Sequence, residues 1–101
     1  MTQGNSLFLR MDYRNEDVKW NEQILQSHMV WAKRLAEERF FIGGGIESVT
    51  TKDAPPACLF EAKDIEEAEA ITRIDPLIEN GLYRYELHKW HMVIFSDNIF
   101  E

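Results

Sequence analysis

Two residues in this sequence, His28 and Asp75, have the type and placement to move a proton. Imidazole titrates near neutral pH and is the side chain best suited to general acid–base work. Ile24, His28, Trp31 and Leu35 recur at three- and four-residue spacing. On a helix this aims His28 inward with the apolar stripe rather than into water. Ala68, Ile71 and Asp75 follow the same spacing further along, so Asp75 continues the inner face of a second helix. A carboxylate there can accept a hydrogen bond from the imidazole, fix its tautomer and raise its basicity. Each residue also has a purely structural explanation. A core-edge histidine can bond a backbone carbonyl, and an aspartate before proline caps a helix. Capping and orienting are compatible roles.

Other chemistry-bearing residues cluster near the end of the chain. On an extended segment Arg84, Glu86, His88 and Trp90 share one face, and Tyr85 and Leu87 share the other. The first set is expected on an open sheet face or subunit contact, the second against helices. His88 and His91 are three apart, which on a strand places them on opposite sides. That spacing does not suit two ligands of one metal, and no metal or cofactor is expected. Cys58 is the single cysteine, flanked by Ala57 and Leu59. It reads as a small buried hydrophobe rather than a nucleophile. The run Gly43-Gly44-Gly45 lacks the lysine and following helix of a phosphate loop.

The elements that must position these residues follow from patterning. Residues 6–13 (SLFLRMDY) predict a first strand, and the stripe from Trp20 to Ala36 predicts a long helix ending near Arg39. Phe40 to Val49 predicts a second strand interrupted by the glycines, and TTKDAPP a loop. Residues 57–62 (ACLFEA) predict a third strand. Asp64 with Glu67 has capping-box spacing and opens a second helix through Ile74. Pro76 starts a further helical turn, closed by Asn80-Gly81. Residues 82–95 predict a final strand, with a tail from about 96. The order βαββαβ predicts an α+β, ferredoxin-like fold with a four-stranded antiparallel sheet and both helices on one face. Residues 1–101 are expected to form a single domain. The uncovered sheet face predicts a homodimer.

Charge narrows the partners. Eleven basic against eighteen acidic residues give a net charge of −7. No basic stripe is present to neutralise phosphates, which argues against nucleic acid as a ligand. An acidic surface also disfavours anionic membranes. The polar opening MTQGNS predicts no secretory signal, and the lone thiol suits a reducing, cytoplasmic setting.

The stretch His28-Met29-Val30-Trp31-Ala32-Lys33-Arg34-Leu35, followed by Phe40-Phe41-Ile42-Gly43-Gly44-Gly45, resembles the histidine-helix and glycine-strand pattern of YciI-like (YCII-related) proteins. Ile74-Asp75-Pro76 with Asn80-Gly81 and Trp90 resembles their Asp-Pro, glycine and closing-tryptophan segment. The sequence departs from that pattern at His88-Lys89, where a basic–proline pair is usual, and at Arg39, where a small residue often ends the helix. The resemblance implies a dimeric α/β barrel of ferredoxin-like subunits and a histidine–aspartate pair at His28 and Asp75. It further implies a cofactor-free lyase, dehydrochlorinase or isomerase acting on a small cyclic or phenolic substrate. Arg10, Arg84 and His88 are then candidates to bind an anionic oxygen, with Trp90 a further substrate contact. Two other functions suit the same barrel: a cofactor-independent monooxygenase and a non-catalytic ligand-binding or accessory module.

Overall fold

The computed structural model describes residues 1–94 and residue 96. Its elements run β1 (Ser6–Arg14), α1 (Glu22–Glu38), β2 (Phe41–Gly44), β3 (Ala57–Ala62), α2 (Ile65–Arg73), α3 (Pro76–Glu79) and β4 (Tyr83–Trp90). The four strands form one antiparallel sheet in the order β2-β3-β1-β4.

Local signals in the sequence account for the helix boundaries. Asn21 caps α1 by accepting from the backbone N–H groups of Gln23 and Ile24. Asp64 caps α2 through the N–H of Glu67. Asp75 caps α3 through the N–H of Leu77, with Pro76 in the first turn, where no N–H is needed. Gly81 ends that turn with φ of 74°, a conformation a side chain would disfavour.

Two strands are shorter than their patterning predicts. β2 stops at Gly44 rather than continuing to Val49. Its last pair is Gly44 with Ala57, and the preceding Pro55 and Pro56 have no N–H to extend the ladder. β4 stops at Trp90. Trp90 pairs with Leu7, and β1 has only Ser6 beyond it, so the partner runs out. Phe95 and most of the expected tail lie outside the described residues.

Register assigns the faces. Phe8, Phe60 and Phe41 sit in one cross-strand row, and Leu87, Arg10, Cys58 and Gly43 in the next. The first row packs under the helices with Leu35 of α1 and Ala68 and Ile71 of α2. Adjacent rings in it are 6.3 Å apart, and Trp31 meets Phe41 edge-on at 6.2 Å. Phe8 and Phe60 are fully buried, worth about 2–3 kcal/mol each in area removed from water. The opposite face carries Leu9, Leu59, Ile42, Arg84, Glu86, His88 and Trp90. Ile42 and Trp90 are more than half exposed there.

Helix α1 departs from its predicted stripe. Leu35 is its one buried residue, whereas Ile24, Leu25 and His28 are only half-buried. Under the first half of the helix the sheet presents Arg10 and Asp12 in place of aromatic rings, and a cavity separates the layers.

Candidate functional site

The cavity has a volume of about 370 Å³. Its walls are mostly apolar, from Trp20, Leu25, Met29, Phe41, Leu77 and Tyr83, and its polar lining includes Arg10, Asp12 and His28. Behind His28 stands Asp75, which has no exposure to solvent.

The second turn of α1 carries His28, and the N-cap of α3 carries Asp75. The two side chains meet with Nδ1 of His28 2.7 Å from Oδ1 of Asp75. That oxygen also accepts the N–H of Leu77 at 3.0 Å, so the capping bond and the histidine bond share one atom. The other oxygen, Oδ2, accepts from Nη2 of Arg10 at 2.7 Å. Arg10 in turn holds Asp12 with two bonds, Nε to Oδ1 at 2.8 Å and Nη2 to Oδ2 at 2.9 Å. Three elements thus converge: β1 supplies the guanidinium, α1 the imidazole and α3 the carboxylate between them.

Electrostatics follow from these contacts. Burial pushes the Asp75 carboxyl up, but the hydrogen bond from His28 and the Arg10 charge outweigh it and hold Asp75 below the usual carboxylate value. Arg10 loses solvation by burial, yet its bonds to Asp12 and the nearby negative charges keep it protonated and raise its pKa. With Asp75 ionised and engaging Nδ1, Nε2 is the His28 nitrogen available to a bound molecule. The His28 ring is held from the side by Trp31, centroid to centroid 5.8 Å.

Cys58 also lines the cavity. Burial pushes its thiol up to about 11, opposed by Arg10, so it is uncharged and a weak nucleophile at neutral pH. Among the described residues no group of three His, Cys, Asp or Glu side chains could hold a metal ion.

The residues singled out in the sequence divide into two groups. His28, Asp75 and Arg10 come together in one network. Arg84, His88 and Trp90 lie on the other face of the sheet, are exposed, and contribute nothing to this cavity. Asp12 was not singled out, and neither was the direct Arg10–Asp75 ion pair. The available signal was alternation: Arg10 and Asp12 are spaced by two from buried Phe8 and so share its inward face.

Fold and site together define a small α+β protein with a carboxylate-held histidine at the wall of an apolar cavity. Residues 6–91 match the YCII-related domain, and the chain belongs to that family. A similar solved structure is 5-chloro-2-hydroxyhydroquinone dehydrochlorinase from Burkholderia phenoliruptrix AC1100, in complex with 2,5-dihydroxybenzoquinone. The TM-score is 0.64 at 18% identity, covering 84% of this chain and 93% of that one, so the two share a fold. No curated protein matches the sequence. No helix among the described residues is long and apolar enough to cross a membrane.

Proposed function

We propose that the protein is a cofactor-free proton-transfer enzyme of lyase or isomerase type, acting on a small cyclic or phenolic compound. The observation that carries this reading is the 2.7 Å bond between buried Asp75 and Nδ1 of His28 at a cavity of molecular size. His28 acts as general base through Nε2, and Asp75 fixes its tautomer and stabilises the imidazolium that forms. The apolar walls suit a ring, and they strengthen electrostatic interactions inside the cavity. The dehydrochlorinase of shared fold, crystallised with a quinone, supports a substrate of this kind.

The same reading makes the active species a homodimer joined through the open sheet face. Exposed Ile42 and Trp90 support that contact, on which Arg84 and His88 would also fall. Sedimentation at micromolar concentration should give twice the monomer mass; a stable monomer counts against the dimer.

Catalysis is tested with hydroxylated and chlorinated cyclic compounds in deuterated buffer, following proton exchange by NMR together with chloride release. Wild-type protein should catalyse one of these, and His28→Gln should not. Equal rates for the two proteins overturn the assignment. Binding without turnover in the wild type moves the protein to the ligand-binding class, and oxygen consumption moves it to the monooxygenases.

A further inference from the structure

Asp12 stands at the far end of the polar network from His28: its partner is Arg10, whose partner is Asp75, which holds the imidazole. Its side chain is only 10% exposed. A second carboxylate buried close to Asp75 is costly unless it is paired. The pairing is unequal. Arg10 grips Asp12 as a fork, Nε to Oδ1 at 2.8 Å and Nη2 to Oδ2 at 2.9 Å, and gives Asp75 a single bond at 2.7 Å. The forked geometry is the stronger, so the guanidinium charge is spent chiefly on Asp12.

The charges then decide what His28 faces. Were Asp12 neutral, Arg10 and Asp75 would cancel, and the imidazole would stand beside a neutral pair. With Asp12 ionised, the two carboxylates outnumber the guanidinium, and an imidazolium supplies the missing positive charge. Arg10 and Asp75 are out of contact with water, so these charges act on one another with little screening. The other elements around the imidazole add little charge. β3 and β4 bring a thiol and a phenol to the cavity, Cys58 and Tyr83, and β2 brings Phe41 and glycines. Glu79 of α3 is exposed, and Arg14 of β1 is held on the carbonyls of Asn15, Val18 and Leu82. At helical spacing on α1 itself, Ile24, Leu25, Trp31 and Ala32 are apolar.

We infer that Asp12 is a positioning residue for the proton transfer: it occupies Arg10 and so leaves Asp75 the negative charge that makes His28 a base. The inference rests on the proton-transfer reading for its effect on rate, and its effect on the imidazole can be measured without substrate. In the transfer, a C–H or O–H bond of the substrate breaks and its proton passes to Nε2 of His28. The bonding electron pair stays on the substrate, and the network goes from one excess negative charge to none.

The test is an NMR pH titration of the His28 ring in the free protein, its resonance identified by its loss in His28→Gln. Asp12→Asn keeps the size and one acceptor for Arg10 but removes the charge. Its His28 midpoint should fall by at least about half a pH unit. Arg10→Gln/Asp12→Asn removes the pair and restores one excess negative charge, so its midpoint should return to within about 0.3 unit of wild type. Glu37→Gln removes an exposed charge from α1 and should leave the midpoint in place. An unmoved midpoint in Asp12→Asn overturns the inference, as does a double variant that falls with the single one, or an equal fall in Glu37→Gln. Where circular dichroism shows Asp12→Asn unfolded, the wild type decides. Coupling is reciprocal, so the Asp12 carboxyl carbon should shift at the pH where His28 titrates, and a flat response there overturns the inference. With an exchanging substrate, the acid limb of the rate should move with the midpoint in Asp12→Asn. A moved midpoint without exchange in the wild type defeats the proton-transfer reading alone. Exchange with an unmoved midpoint and acid limb defeats this inference alone.

Discussion

At the Phe8 end of β1 the space beneath the helices is filled by Phe60, Leu35, Ala68 and Ile71. Two residues along the same strand face, at Arg10, that space holds a guanidinium, two carboxylates, an imidazole and a cavity. The strand supplies both by alternation alone: Phe8, Arg10 and Asp12 point the same way. Trp31 bridges the two ends, packing edge-on against Phe41 and beside the His28 ring. The packed end therefore fixes the turn of α1 that carries the histidine. The polar end spends burial on a network whose members are useful only if held still.

The largest expected effects are at the polar end and fall on turnover. His28→Gln and Asp75→Asn should each lower kcat by about 10²–10⁴-fold. The double variant should cost little more than either alone, because the two act as one unit. Asparagine at 75 can still accept the N–H of Leu77, so a rate loss without loss of helix α3 isolates the histidine bond. Steady-state rates and circular dichroism on the three variants check this. Additive losses would break the pairing.

At the packed end the same kind of truncation should act on stability instead. Phe60→Ala is expected to cost about 3–5 kcal/mol, since the ring is buried and flanked by two others. Leu25→Ala, half-buried and facing the cavity, should cost about 1 kcal/mol or less. Urea denaturation of the two variants measures the difference. Similar losses would mean that the cavity end is packed as tightly as the core.

Much of this contrast was legible in the sequence. The caps at Asp64 and Asp75, the Gly81 turn and the inward aim of His28 follow from local spacing. So does the division of β4 into an inner face, with Tyr85 bonded to Glu69 and Leu87 on the core, and an outer one. Strand ends were not legible, because Gly44 and Trp90 stop where a partner strand stops, and that is a property of the pairing. Nor was the Arg10–Asp75 pair, which joins residues 65 apart in the chain. Periodicity places each charge on a face but cannot say which opposite charge it will meet.

A second buried carboxylate sharpens the comparison. Glu61 is 1% exposed and accepts from the backbone N–H groups of Phe40 and Thr2 and from the Asn5 amide. Unlike Asp75, it has no titrating partner among the described residues, and its contacts tie the chain's opening residues to β3. Burial opposes its ionisation, but these donors pull it down to about 2 from the usual 4.5. A depressed folded pKa stabilises the native state above the unfolded value, and that stability is lost as the pH falls from about 4.5 toward 2. The expected loss is on the order of 2 kcal/mol, allowing for residual solvent screening. Urea midpoints of wild type and Glu61→Gln should converge across that window. Parallel pH profiles would show that Glu61 is not the acid-sensitive group.

The smallest effect tests how closely the glycine strand bounds the site. Gly43 shares a row with Cys58 and Arg10, and a Cβ added there would lie 2.9 Å from the Cβ of Cys58. Both atoms are fixed to backbone, so no side-chain rotation relieves the contact and the two strands must part slightly. Overpacking of this kind costs about 1–2 kcal/mol, which for a chain of this size lowers Tm by roughly 4–16 °C. Gly44 is the matched comparison, with nothing within 4 Å of its added Cβ and no positive φ to strain. Gly44→Ala should melt within about 0.5 kcal/mol of wild type. If both variants melt alike, the strand pair yields to an added Cβ at Gly43, and the close approach to Cys58 does not hold the glycine strand in place beside the cavity.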